Sequence, residues 1–240
     1  MASGLMAIYL EAVHFPFGFV NSLAVALVTG SVLGIAAFYA FRPSHFTWHN
    51  TLNGLRWPHL RWTLLSLLAA PPIILIVNLL QEHCPELPDT TDGLFLQQFI
   101  QTPAGVIVLC LLGPLNEELL FRAGVLGSLQ ALYGNNENIE PRLARRAIVI
   151  SALVFSIAHL NPVQMPGAFV LGLLMGYAYW HTRSIAAPLI IHIFNNSLAC
   201  AFPMMSLTDM LGGKSGAIIA FLAALTWLIV LRIAANARKT

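Results

Sequence analysis

Charge is what this sequence has least of. Only 9% of its 240 residues are Asp, Glu, Lys or Arg, while 58% are hydrophobic, and the mean hydropathy is +0.75. Soluble chains carry about 25% charged residues. The shortfall excludes an ordinary soluble domain and points to a chain whose solvent is mostly lipid, where charge is costly. A net charge of +2 leaves no electrostatic footprint for nucleic acid, which is excluded as a partner. Cysteine is scarce as well. Cys84, Cys110 and Cys200 are odd in number, widely spaced and form no C-x-x-C, which argues against a disulfide framework or a zinc ribbon. Cys110 and Cys200 read as small apolar residues of helices. No Lys or Arg precedes Arg42, so the first apolar segment lacks the basic region of a secretory signal and is expected to be retained. The three aspartates, Asp89, Asp92 and Asp209, all fall in polar loops, which excludes an intramembrane aspartyl site. Ser156 and Ser197 lack the Gly-x-Ser setting of a serine nucleophile.

Long apolar runs are what is present. A spanning helix needs about 20 mainly apolar residues, and the candidates are 16–41, 62–81, 97–113, 143–160, 164–181, 185–204 and 214–234. A further helical stretch, 114–132, follows Gly113-Pro114 and either continues the third span through a kink or stands alone. The expectation is an all-α polytopic transmembrane bundle of seven spans, or eight. It forms one membrane domain over 1–240, with the chemistry in 97–204. Basic residues collect on the cytoplasmic side of membrane proteins. With the N-terminus outside, ten of the twelve fall inside: Arg42, Arg56, Arg61, Arg142, Arg145, Arg146, Arg183, Arg232, Arg238 and Lys239. The C-terminus is then cytoplasmic. The pairs Gly30/Gly34 and Gly172/Gly176 have the spacing that lets helices approach closely.

Few ionisable groups lie within the apolar runs, and an intramembrane ionisable residue is a functional hypothesis by default. Glu117, Glu118 and Arg122 lie in Pro114-Leu-Asn-Glu-Glu-Leu-Leu-Phe-Arg-Ala. His159 ends one apolar run, one helical turn after Phe155. His192 and Asn196 share a turn in another. Residues four apart share a helix face, so Glu118 and Arg122 pair, while Glu117 points about 100° away and is free to face something else. Three helices thus each present a polar face. Two imidazoles and an amide orient a water or bind a divalent cation. A carboxylate beside them takes the water's proton and leaves a nucleophile for an amide carbonyl, and the same polar groups stabilise the oxyanion that forms. Each motif also has a structural reading, as an ion pair, a packed histidine or a hydrogen-bonded helix contact.

The ordered set Glu-Glu-x-x-x-Arg, Phe-x-x-x-His, His-x-x-x-Asn resembles the CPBP family, which groups the type II CAAX prenyl endopeptidases with bacteriocin-processing, Abi-type membrane proteins. The resemblance spans about 115–200. It implies an intramembrane endopeptidase acting on a membrane-bound protein or peptide within the lipid bilayer. Glu117 would activate water. His159, His192 and Asn196 would hold that water or a metal, and Glu118 and Arg122 would complete the site. A metal set of Glu117, His159, His192 and Asn196 would suit a divalent ion such as zinc, although amide is a poor zinc ligand and no His-Glu-x-x-His occurs. A glutamic-type mechanism without metal fits equally well.

For His159 and His192 to share a water, the fourth span must be short or broken, and Asn161-Pro162 supplies the stop. A wet cavity opening to the cytoplasm is expected, since irregular backbone at membrane depth needs protein or water around it. The rival functions are a non-catalytic immunity or binding protein of the same fold and a proton-coupled transporter. Transporters of that kind commonly show internal repeats, and none is seen here.

Overall fold

A backbone in hydrocarbon must satisfy its own N–H and C=O groups, and a helix does so within a single segment. The computed structural model describes residues 17–47, 49–56, 59–82, 93–133, 140–202 and 206–236, and among them there are helices and no strand. The principal helices are α1 (Phe17–Phe41), α2 (Leu60–Glu82), α3 (Gly93–Ile100), α4 (Pro103–Leu132), α5 (Pro141–Ala158), α6 (Met165–Thr182), α7 (Ala186–Ala201) and α8 (Lys214–Asn236).

Among the described residues each apolar run expected to span the membrane is mostly helical, but the dimensions differ. Four stretches, Leu23–Phe41, Leu60–Glu82, Pro103–Leu132 and Lys214–Ile233, are long and apolar enough to cross a bilayer. Helices α5, α6 and α7, of 18, 18 and 16 residues, are shorter or more polar. At 1.5 Å per residue they reach about 24–27 Å, just under the roughly 30 Å of a hydrocarbon core.

The third segment departs from expectation. It begins at Pro103 rather than 97, because α3 stops at Ile100 and Thr102 starts a new helix. The Thr102 hydroxyl accepts from Gly105 N at 2.9 Å, and Pro103 fills the first helical position, where its missing N–H costs nothing. From there the chain runs 30 residues through Gly113-Pro114 without a break. It widens to π geometry over Val108–Leu112 and again over Leu119–Leu126. The first widened stretch lies directly before Pro114 and takes up the ring that a regular α-turn would clash with.

Small residues let the central helices touch. A Cβ on Gly172 would sit 3.1 Å from the Ala152 backbone, and one on Gly176 3.0 Å from Ile148, so the α6 glycine pair seats α6 on α5. The α1 pair behaves differently. Gly34 meets the Asn116 side chain, while nothing lies near Gly30. Phe121, Phe155, Leu171, Met175 and Ile191 pack together as one buried cluster. Leu119, Leu126, Ile148, Tyr179 and Ile185 form a second. By contrast α8 exposes Ile218, Ile219, Leu222, Ile229, Val230 and Ile233, as a helix facing lipid does.

Side-chain bonds mark the two ends of the bundle. At one end Arg183 donates to Gln130 Oε1 at 2.6 Å, Asn53 to Thr182 O at 3.5 Å and Ser184 to Thr51 O at 2.9 Å. At the other, Gln81 donates to Val163 O at 2.6 Å, and the hydroxyls of Ser206 and Thr208 donate to Glu82.

Candidate active site

The site forms where the α-helical turn Gly113–Glu118, between the two widened stretches of α4, faces α5 and α7. Glu118 and Arg122 are the pair that their spacing implies: Arg122 Nε lies 3.1 Å from Glu118 Oε2, with both side chains fully enclosed. The guanidinium also stands over the Phe155 ring at 4.4 Å, a cation–π contact that gains from the absence of water. Nη1 and Nη2 of Arg122 make no hydrogen bond.

Glu118 has a second partner. Its Oε1 lies 2.8 Å from Nδ1 of His192. The other face of the same ring meets the neighbouring carboxylate, with Nε2 3.7 Å from Glu117 Oε2. Glu117 faces away from the enclosed Glu118–Arg122 pair and toward the cavity, yet both carboxylates reach the same ring. Consecutive carboxylates bracket one imidazole, one at each nitrogen. They differ in access to water: the side chain of Glu118 is 0% exposed and that of Glu117 is 39% exposed.

His159 reaches the site from the end of α5. That helix stops at Ala158, and Leu160 takes a left-handed φ of 53°. Asn161 then closes the turn, accepting from Val163 N at 3.0 Å through Oδ1. The short fourth helix expected from Asn161-Pro162 is present. His159 packs edge-on against Phe155 at 4.8 Å, and Phe155 meets His192 the same way at 5.6 Å. The phenyl ring therefore spaces the two imidazoles.

Hydrogen bonding fixes both histidine tautomers. His159 Nδ1 lies 2.9 Å from the Phe155 carbonyl, which only accepts, so Nδ1 carries the proton. Ionised Glu118 imposes the same form on His192. In the neutral state both Nε2 atoms are bare acceptors.

Asn196 lines the cavity and also makes structural bonds. Its Nδ2 donates to Leu109 O at 2.9 Å and its Oδ1 accepts from Asn195 at 3.3 Å. The amide ties α7 to the first widened stretch of α4 and keeps a second N–H.

Glu117, His159, His192 and Asn196 all line a single cavity of about 380 Å³. Its remaining wall is mainly apolar, with Ile74, Val77, Leu171 and Met175 among the lining residues. The cavity also draws in Asn78, Gln81, Gln164 and Asn195, which the sequence reading did not place in the site. Asn195 carries a signal in the sequence, a second amide beside Asn196 in an apolar run. Gln81 carries none, because a glutamine at the end of a span looks like an ordinary boundary residue.

Three bare acceptors facing a cavity are chemically suited to a cation. The spacing is not: among the described residues no three His, Cys, Asp or Glu side chains are gathered as a metal ion needs. The same acceptors suit a water, which donates two protons, and no step below is routed through a metal.

The cavity also has a defined end. It lies by the C-terminal turn of α2 (Asn78, Gln81), the end of α5 (His159), the start of α6 (Gln164, Gly167) and the later turns of α7 (Asn195, Ala199, Cys200). Arg61, Arg142, Arg145, Arg146 and Arg183 lie at the opposite ends of these helices. Several of the cavity's lining residues thus sit at the helix ends away from these arginines.

Comparison with known proteins adds an independent line. Residues 99–198 match the family model described as type II CAAX prenyl endopeptidase Rce1-like. The membrane-embedded CAAX protease MroQ of Staphylococcus aureus (strain USA300) is 31% identical over 107 residues, which is 43% of this chain and 41% of that relative. The chain thus spans about two fifths of that relative's length, and the residues matched by the family model contain all three motifs. No solved structure matches the chain.

Proposed function

From residues 99–198, which match the Rce1-like type II CAAX prenyl endopeptidase model and carry the motifs that resemble the CPBP family, we propose an intramembrane endopeptidase that hydrolyses a peptide bond with a glutamate-activated water. One observation carries this reading. The cavity-facing carboxylate of Glu117 lies 3.7 Å from a ring nitrogen whose partner nitrogen is held by a buried carboxylate.

A water seated between Glu117 and His192 Nε2 donates to both acceptors. As its oxygen attacks the carbonyl carbon of the substrate, Glu117 takes one proton. The protonated carboxyl then passes that proton to the departing amine, which the microscopic roles of a general base and acid require. His192 acts with Glu117 at the water. Glu118 holds the imidazole tautomer and Arg122 balances the charge of Glu118. His159, one phenyl ring away, lines the same cavity and accepts through Nε2 from a backbone N–H of the substrate. The apolar wall accepts an unfolded, hydrophobic stretch of a membrane-bound protein or peptide.

The basic residues favour an N-terminus outside and a C-terminus in the cytoplasm. The cavity is then in the outer half of the membrane. The short helices α5, α6 and α7 complete a seven-segment bundle around it, tilted little and covered by the longer α1, α2, α4 and α8.

Cleavage by the full chain in liposomes tests the reading, with membrane-spanning and lipid-anchored peptides presented from either side. Glu117→Gln and His192→Ala should abolish product. A Glu117→Gln protein that still cleaves would refute the assignment. One in which no peptide is ever cleaved, yet which binds and protects a partner, would favour the non-catalytic reading.

A further inference from the structure

We propose that Cys110 and Cys200 form an oxidation site, which a hydroperoxide converts into a disulfide joining α4 to α7 beside the cavity. The inference does not depend on the protease reading.

The two thiols come from residues 90 positions apart, and their sulfurs lie 3.4 Å from each other. Both are free and only partly buried. Cys200 lines the cavity, so a small polar oxidant in that space reaches its sulfur. Cys110 lies in the widened stretch Val108–Leu112. A disulfide holds its sulfurs about 2.0 Å apart, so the pair must close by roughly 1.4 Å. A π-type turn carries an extra residue and slack that a regular α-turn lacks, which places the needed give on the Cys110 side. The same seam is already joined at one point. Asn196, one turn before Cys200, bonds the carbonyl of Leu109, the neighbour of Cys110. A disulfide would add a covalent tie next to that hydrogen bond.

The chemistry balances with a peroxide as oxidant. The Cys200 sulfur attacks the O–O bond, an S–O bond forms and one water leaves, giving a sulfenic acid. The Cys110 sulfur then attacks that sulfur, the S–S bond forms and a second water leaves. Two thiols lose two electrons and two protons, and one peroxide becomes two waters. Neither thiol alone yields this product, so the pair itself is the site.

The test uses the full chain in lipid nanodiscs. Hydrogen peroxide is added, remaining thiols are capped with N-ethylmaleimide and the protein is digested for mass spectrometry. The expected result is a linked peptide pair containing Cys110 and Cys200, two hydrogens lighter than the sum, reversed by reductant, with Cys84 capped. The Cys110→Ser variant should lose the linked pair and accumulate singly oxidised Cys200. Two capped thiols at 110 and 200 after peroxide overturn the proposal. So does a linked pair made through Cys84, or an oxidation pattern at Cys200 that Cys110→Ser leaves unchanged.

Discussion

His192 donates through Nδ1 to Oε1 of Glu118 at 2.8 Å, in a place where the carboxylate has no access to water. That single bond joins the ion pair on α4 to the ring on α7. It decides which imidazole nitrogen faces the cavity, and so it links the stability of the bundle to its chemistry.

Glu118→Gln removes the charge that Arg122 opposes. A buried charge left without its partner costs about 3–5 kcal/mol, so the variant should unfold at markedly lower temperature in detergent. Adding Arg122→Met should restore much of the loss, because a buried ion pair replaced by apolar groups is often neutral. Activity should not fully return with stability, since a neutral amide oxygen holds the Nδ1–H of His192 more weakly than a carboxylate does. Thermal unfolding and cleavage measured side by side check both halves of this prediction.

Glu117→Gln should behave in the opposite way. The side chain faces the cavity and carries no structural bond, so stability should change by no more than about 0.5 kcal/mol. Loss of a general base lowers turnover by about 10²–10⁴-fold. A large stability loss with activity intact would reverse the roles assigned to the two glutamates.

Gln81→Leu addresses a residue outside the three motifs. Gln81 donates to Val163 O at 2.6 Å, on the turn that follows His159. Losing one such bond costs about 1 kcal/mol, and the turn should loosen more than the fold. The expected outcome is a lower kcat with a nearly unchanged melting temperature, and Gln81→Asn should not rescue it because the shorter amide falls short of the carbonyl.

Gly172→Leu should be the most damaging change away from the site. Even a methyl at this position meets the Ala152 backbone at 3.1 Å, and the backbone does not yield as a side chain does. Overpacking of this kind costs about 1–3 kcal/mol. Gly30→Leu, on open surface, should cost little, and the pair of variants compares directly in one unfolding assay.

Much of this was legible in the letters. Hydropathy located the long helices among the described residues, since a lipid-facing segment has no other way to satisfy its backbone, and i,i+4 spacing gave the Glu118–Arg122 pair. The turn after His159 followed from Asn161-Pro162. Other features depended on geometry that the sequence does not encode locally. The π-type stretches of α4 lie on either side of the α-helical turn that carries both glutamates, and nothing in the local sequence announces them. The bond from Asn196 to the Leu109 carbonyl is invisible in the sequence, because residues 87 positions apart meet only in the fold. The Cys110–Cys200 contact was invisible for the same reason, two lone cysteines brought together only by the packing of α4 on α7. The direction of the cavity came from comparing helix ends, which needs the fold.

The central claim is that Glu117 activates a water rather than attacking the substrate itself. A single-turnover cleavage in heavy-oxygen water tests it most directly, with mass spectrometry of both the product and the peptide that carries Glu117. The account predicts one heavy oxygen at the new C-terminus and none in Glu117. Heavy oxygen in the Glu117 carboxylate after one turnover would reveal an acyl-enzyme and contradict it.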